Sequence, residues 1–271
     1  MSRHFLILDA GTGSGRAVIF DRSGNQLGFA QEEWSHLPEP GVPGSMAFDV
    51  DAGWALLNRC IGKVLHACGL TGADIAAISS TSMREAIVLY DRDGREVWAC
   101  ANVDSRASAE VAELKATGPD YERDFYMISG ETFALGALPR LNWLRRTRPG
   151  IWSRVARLSM VNAWIAARLT GEITVEPTNG STNGLLDLGR RDWSDGLIAR
   201  AGLDRALFPR VVEPGALVGH VTAAAAAETG LVAGTPCIAG GGDVQLGSVG
   251  LGVLDLGDTG VLGGTFWQQV V

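Results

Sequence analysis

The apolar run at residues 5–8 is followed at once by a glycine-rich stretch, residues 10–15. That pattern predicts a short buried strand entering a tight turn. Residues 16–21 read as a second strand, Ser23-Gly24-Asn25 as a turn and residues 26–34 as a third strand. Strands joined by such short turns make an antiparallel meander. The period then becomes helical. Trp54, Leu57, Ile61, Val64, Leu65 and Cys68 share one face, Asp49 or Asp51 stands where a cap is needed, and Gly69 can end the helix. Residues 75–80 and 86–90 read as strands, Asp91 to Gly94 as a hairpin turn and residues 96–99 as the returning strand. Beyond Arg106 the pattern predicts helices over 106–116, 137–146, 160–169 and 195–202, with a small strand-rich insert near 185–188. A helix at 223–229, a strand at 237–239, a helix at 244–249 and strands near 259–262 and 265–271 complete it.

This alternation describes one α/β domain with a helical elaboration. The length, 271 residues with 46% apolar, is enough for a sizeable core. No internal repeat or exposed apolar stripe is visible, which weighs against a scaffold role. The net charge of −7, with no basic run longer than Arg145-Arg146, argues against nucleic acid as partner. No stretch of about 18 apolar residues suggests a membrane span. The cysteines Cys60, Cys68, Cys100 and Cys237 form no C-x-x-C pair, and the histidines are scattered. Zinc and a disulfide framework are therefore disfavoured, and a reduced cytoplasmic setting is expected. The last expected strand runs to the final residue without a polar tail, so a longer protein is expected to continue beyond it.

Four motifs carry candidate chemistry. The first is Asp9-Ala10-Gly11-Thr12-Gly13-Ser14-Gly15-Arg16: a carboxylate at a strand end, then a turn whose amides and hydroxyls can cradle phosphate. It lacks the Lys of a Walker A loop, the third glycine of a Rossmann turn and the flanking glycines of a nucleophile elbow. Its alternative reading is a plain hairpin. The second is Gly240-Gly241-Gly242-Asp243-Val244-Gln245, in which bare glycines allow close approach of a ligand. Asp243 can act as a general base or as a simple helix cap. The third, Gly263-Gly264-Thr265, offers amides and one hydroxyl. The fourth, Ser82-Met83-Arg84-Glu85 at a strand end, is a surface ion pair or a donor–acceptor pair for a polyhydroxy ligand.

In this order the four motifs resemble the FGGY family of carbohydrate kinases, over the whole chain. The family's pattern is D-x-G-T-x-S-x-R, then M/Q-R-E, then G-G-x-D, then G-G-T. Further stretches, Pro43 to Asp49, Trp98 to Asp104 and Leu262 to Val270, are similar to the branch of the family that acts on the quorum-sensing signal autoinducer-2. The resemblance implies an actin-like ATPase, ribonuclease-H-like fold: a mixed sheet that begins with an antiparallel meander and is flanked by helices. It implies ATP and Mg²⁺ as cofactors and phosphoryl transfer to a sugar-like hydroxyl, most specifically of the linear dihydroxy-pentanedione form of that signal. The alternatives are another pentulose or polyol kinase, or a non-catalytic ligand-binding remnant. By resemblance Asp243 is the base and Asp9 orders Mg²⁺. Gly11, Thr12, Gly13, Ser14 and Arg16 meet the phosphates from one side, Gly264 and Thr265 from the other. Arg84, Glu85, Asn102, Asp104 and Gln245 hold substrate. Glycerol-type members place Trp where Asn102 stands and Tyr where Leu135 stands, so a differently shaped polar acceptor is expected, with Asp104 near that wall. The family has a second domain with the adenine pocket. Residues 1–271 are expected to be the substrate-side domain alone, binding ATP weakly or not at all and inactive by itself, with its own C-terminal domain as partner.

Overall fold

The computed structural model describes residues 4–118, 120–263 and 267–270. The meander forms as the alternation predicts. β1 (His4–Ala10) turns back as β2 (Ser14–Phe20), which turns back as β3 (Gln26–Glu33), both pairs antiparallel, with Ile7 opposite Val18 and Val18 opposite Phe29. The carboxylate of Asp49 accepts from the Ala52 N–H at 2.9 Å and starts α1 (Val50–Ala67). Leu57, Ile61 and Val64 of α1 are fully buried over the meander. β4 (Ile75–Ser82) then enters the sheet parallel to β1.

A helical elaboration follows, built on β5 (Ile87–Tyr90) and β6 (Glu96–Cys100). α2 (Ser108–Ala116), α3 (Tyr121–Ser129), α4 (Ala137–Thr147) and the single turn α5 (Pro149–Trp152) lead to β7 (Arg157–Met160). β6, β5 and β7 form a separate antiparallel sheet. β5 is buried along its whole length, and its period of two divides it. Val88 and Tyr90 join the core beneath the main sheet; Ile87 and Leu89 join a second core with Phe125, Leu138, Leu141 and Trp193.

α6 (Val161–Thr170) crosses back under the main sheet. Next come α7 (Pro177–Gly180) with a 3₁₀ turn (Ser181–Asn183), the two-stranded ladder β8 (Leu186–Asp187) and β9 (Asp192–Trp193), and α8 (Asp195–Arg200). β10 (Leu217–His220), α9 (Ala223–Thr229) and β11 (Pro236–Gly242) complete the main sheet, in the order β10-β11-β4-β1-β2-β3. α10 (Asp243–Leu251) leaves the end of β11, and β12 (Gly260–Gly263) pairs with β13 (Trp267–Val270) in a separate ribbon.

Several expectations are corrected. α3, β7 and β10 are not among the expected elements, whereas the helix expected over 160–169 forms as α6. The three glycines do not follow the strand; they are its last residues. A Cβ on Gly240 would lie 1.7 Å from the Ser80 carbonyl oxygen, so this glycine lets β11 approach β4 rather than admitting a ligand. Exposed apolar surface is also present. Phe5, Leu27 and Phe29, the last 59% exposed, lie on the side of the meander away from α1, and Val249, Leu251, Leu254, Val261 and Trp267 are exposed along α10, the loop after it and the β12–β13 ribbon.

Candidate active site

The strand end of β1 and its turn form one wall of the site. Gly11 N–H donates to the Ser14 carbonyl at 2.9 Å, so the turn is a closed hairpin as well as a candidate cradle. Its carbonyls are held from behind. Trp34 Nε1 donates to Gly11 O and Thr12 O at 3.1 and 3.2 Å, and His36 Nε2 lies 2.7 Å from Thr12 O. A carbonyl only accepts, so that ring nitrogen carries the hydrogen, and burial lowers the His36 pKa and favours the neutral ring. Thr12 Oγ1 accepts from Asn102 Nδ2 at 3.0 Å, which leaves the Thr12 hydroxyl hydrogen free to donate. Asp9 and Arg16 face each other across the β1–β2 register, with Arg16 Nε 3.7 Å from the Asp9 carboxylate. That separation exceeds a hydrogen bond, and buried Arg16 Nε has no hydrogen-bond partner among the described residues. Burial pushes Asp9 up to about 6; Arg16 opposes the shift and the Asp243 carboxylate adds to it.

The opposite wall comes from the ends of β4 and β11. Because β11 pairs parallel with β4, Gly242 lies opposite Ser82. This brings Asp243, first residue of α10, next to the Arg84-Glu85 pair. Arg84 Nε is 4.0 Å from Asp243 and Arg84 Nη2 is 3.7 Å from Glu85. Asp243 is not the helix cap; that place is held by Gly242. The Asp243 pKa is raised, chiefly by burial, against the pull of a backbone N–H bond from Val244 and of Arg84. Glu85 is pushed up to about 7 by burial, with Arg84 lowering and Glu131 raising it. Its backbone lies in the left-handed region at φ 60°, an uncommon place for a side chain other than glycine.

Both walls enclose one cavity of about 660 Å³, lined among others by Thr12, Arg16, Arg84, Glu85, Asn102 and Asp243. Leu135 lines it too, so the wall is aliphatic there. A second cavity, of about 790 Å³, lies against Trp34, His36, Phe48 and Trp98. Its arginines are already engaged, Arg59 with Glu32 and Arg106 with Glu39 and Asp104. The first cavity therefore carries the available chemistry.

Not every expected residue belongs to it. Asp104 does not face the cavity: its side chain is fully buried, accepting from Met46 N–H at 2.6 Å and from Arg106 Nε at 2.9 Å. Arg106 in turn stacks on Trp98 and Trp143 at 5.1 and 4.8 Å, so Asp104 is one half of an internal ion pair. Gln245 is not on the wall, and its Oε1 packs where a Gly242 side chain would stand. Gly11, Gly13 and Ser14 build the hairpin without lining the cavity, and Asp9 does not line it either but stands behind Arg16, within reach of the Asp243 charge. Gly264 and Thr265 lie outside the described residues.

Other residues had not been expected. Gln268 of β13 accepts from Arg84 Nη2 at 2.8 Å, and Trp267 lines the cavity. Glu131, its pKa raised by burial, belongs to the same charge cluster as Arg84 and Glu85, and no motif marks it. The segment around α7 packs beneath both walls. Its signal was readable: Glu176 before Pro177 is a helix start with proline in the first turn.

Comparison with known proteins agrees with this geometry. The family model for the N-terminal domain of the FGGY family of carbohydrate kinases matches residues 4–250. The autoinducer-2 kinases of Yersinia enterocolitica serotype O:8 and Yersinia pseudotuberculosis serotype O:3 are each 54% identical over 269 residues, 99% of this chain and 51% of theirs. The chain thus spans about half the length of the curated relatives it matches. Among solved structures, the xylulose kinase from Rhodospirillum rubrum superimposes with a TM-score of 0.87 at 26% identity, over 96% of this chain and 53% of that one. The glycerol kinase from Plasmodium falciparum, at 20% identity and a TM-score of 0.80 over 95% of this chain and 52% of that one, shares the fold. With a matching family model over most of its length and a sheet, strand-end carboxylates and cavity arranged to suit, the chain belongs to the FGGY family of carbohydrate kinases.

Proposed function

We propose that this chain is the acceptor-side half of an ATP-dependent kinase that phosphorylates a hydroxyl of a small sugar-like molecule. The acceptor we propose is autoinducer-2, in its linear dihydroxy-pentanedione form. The observation that carries this reading is the opposition of two chemistries across one cavity: a half-buried carboxylate beside Arg84 and Glu85 on one wall, unused phosphate donors on Thr12 and Arg16 on the other. The relatives named autoinducer-2 kinase support the acceptor's identity.

In this reading the acceptor hydroxyl gives its proton to the Asp243 carboxylate as its oxygen bonds to the γ-phosphorus, while the bond from that phosphorus to the β–γ bridging oxygen breaks and its electron pair leaves with ADP. A carboxylate with a raised pKa is a better base for that step than an ordinary one. Arg84 donates to, and Glu85 accepts from, the remaining oxygens and hydroxyls of the acceptor. The Thr12 hydroxyl and Arg16 Nε meet phosphate oxygens. The donor set also fits Mg²⁺. Asp9 and Asp243 are hard oxygen ligands, the Asp243 charge raising the Asp9 pKa, and no group of three or more His, Cys, Asp or Glu residues forms a protein cage among the described residues. One or two carboxylates completed by phosphate oxygens and water is the usual Mg²⁺–nucleotide arrangement. Asp9 would hold the ion, which neutralises phosphate charge when bound.

The adenine pocket and Mg²⁺–ATP affinity are assigned to a second domain, in keeping with relatives about twice as long. A cytoplasmic setting follows from ATP as substrate, and the four free cysteines are consistent with it. Among the described residues no helix is long and apolar enough to cross a membrane. A pentulose acceptor is the second reading, favoured by the likeness to the Rhodospirillum rubrum xylulose kinase. A panel of acceptors on the complete protein separates the two. In the same protein, Asp243→Asn is expected to abolish phosphorylation while leaving acceptor binding within a few-fold; turnover near wild type would overturn the assignment of the base.

A further inference from the structure

Beneath the cavity lies a hydrogen-bonded hub, Asn162, Glu176, Thr178, Asn179 and Thr182, none of which lines it. Glu176, 3% exposed, caps α7. Its carboxylate accepts from the Thr178 N–H at 2.6 Å, the Thr178 hydroxyl at 2.7 Å, the Asn179 N–H at 2.7 Å and Asn162 Nδ2 at 3.2 Å. Because the Thr178 hydroxyl spends its hydrogen on Glu176, its oxygen can only accept in the other direction. It accepts from the Gly242 N–H at 2.9 Å. Gly242 is the residue from which α10 starts, it has no side-chain cap, and Asp243 is next to it. A Cβ on Gly241 would stand 2.7 Å from the same oxygen, so the close approach depends on that glycine.

The other end of the hub reaches the other wall. Thr182 Oγ1 donates to Asn179 O at 2.7 Å and accepts from the Glu85 N–H at 3.1 Å. Glu85 holds a left-handed backbone at φ 60°, which needs such an external tie to persist. Asn179 Nδ2 bonds to Ser82 Oγ at 3.0 Å, at the end of the strand that delivers Arg84.

We propose that Thr178 and Thr182 are positioning residues with separate duties: Thr178 fixes the backbone that carries the base, and Thr182 fixes the backbone that carries the acceptor-binding carboxylate. The proposal rests on the kinase reading for its kinetic consequences and on geometry alone for its backbone consequences. A misplacement of about 1 Å costs roughly 100-fold in rate where the reacting groups are concerned.

The test uses the complete protein with Thr178→Val, Thr182→Val and the two Ser variants, which keep the hydroxyl. Thr178→Val is expected to lower kcat by about 10- to 100-fold with the acceptor KM within about 3-fold. Thr182→Val is expected to raise the acceptor KM by about 10-fold with kcat within about 3-fold. Both Ser variants should return to within about 3-fold of wild type. Equal loss of kcat and rise of KM in both Val variants, or Ser variants as poor as Val, would overturn the proposal, because a merely structural role gives that result. Amide hydrogen exchange supplies the second readout. The peptide containing Gly242 should exchange faster in Thr178→Val, and that containing Glu85 faster in Thr182→Val; unchanged exchange in both overturns the proposal even where turnover falls. If a Val variant fails to fold, its Ser partner decides: wild-type protection and kinetics support the hydroxyl's role, and their loss refutes it. Activity surviving in Asp243→Asn while these exchange changes hold would refute the base and leave the tethers standing.

Discussion

At the scale of single residues, Glu85 carries opposing demands. It is 8% exposed and pushed from 4.5 to about 7 by burial first, with Arg84 lowering, Glu131 raising, Arg140 lowering and Asp243 raising it. A carboxyl with a folded-state value above its unfolded one holds its proton more tightly when folded. The stability it contributes is complete below about pH 4 and is lost as pH rises through about 7. Asp9, at about 6, acts in the same direction, and His36, lowered by burial, acts in the opposite one below about pH 6.5. Comparison with Glu85→Gln isolates the residue of interest. The variant's Tm relative to wild type should improve by about 5 °C between pH 5 and pH 8. A difference that stays flat across that range would show that Glu85 does not titrate there. Asp104 makes a contrasting case, since its duty is internal. Asp104→Ala leaves Arg106, whose side chain is fully buried, with Glu39 as its one carboxylate partner among the described residues. A loss of about 3 kcal/mol in denaturant unfolding is expected, with the acceptor KM of the complete protein unchanged within about 2-fold. A large KM effect with little loss of stability would return Asp104 to the substrate wall.

At the scale of elements, Gly240 shows how a motif can be noticed and misread. The three glycines were conspicuous in the sequence, and ligand approach was the natural reading. They instead lie inside β11, where strand-to-strand distance leaves no room for a Cβ beside Ser80. Gly240→Ala is expected to cost about 3 kcal/mol or more, or to prevent folding, as read by thermal unfolding. A Tm within about 2 °C of wild type would contradict the close approach. The elements legible in advance were those whose pattern needs no partner: the alternation of β1 to β3, the apolar face of α1 with Asp49 before it, and α9 between Thr222 and Gly230. Those missed depend on partners far away in the chain. α3 buries only Tyr121, Phe125 and Ser129 and exposes Tyr126 and Met127, which blurs its period. β10 buries only Val218, and β11 is a strand despite three glycines because β4 and β10 flank it. For the site, residue types at strand ends marked Asp9, Arg84, Glu85 and Asp243. The hub at 176–183 carries no such mark, since its hydroxyls and amides acquire meaning only once β4 and β11 are brought beside it.

At the scale of the whole molecule, the surface carries information that composition could not. Phe5, Leu27 and Phe29 lie exposed on one side of the meander, and Val249, Leu251, Leu254, Val261 and Trp267 are exposed along α10, the loop after it and the β12–β13 ribbon, where Trp267 lines the cavity. Scattered apolar residues are ordinary on a protein surface, but contiguous ones call for a cover. The cavity points the same way: in the proposed reading Thr12 and Arg16 offer contacts to phosphate, and among the described residues it has no wall of stacked aromatics for a base. An affinity in the micromolar range needs about 8 kcal/mol, and a few charge-assisted contacts to phosphate, each worth about 1.5–3 kcal/mol before the cost of ordering the ligand, do not reach it. Calorimetry with Mg²⁺–ATP should therefore find no micromolar binding to residues 1–271 and clear binding to the complete protein of the length its relatives have. The same pair, titrated with a fluorescent apolar dye, should show more binding per molecule for the shorter form, and Phe29→Glu should reduce that excess. Micromolar ATP binding by the shorter form would mean that this half carries a nucleotide site of its own, and equal dye binding by the two would mean that the exposed apolar residues face solvent in the complete protein as well.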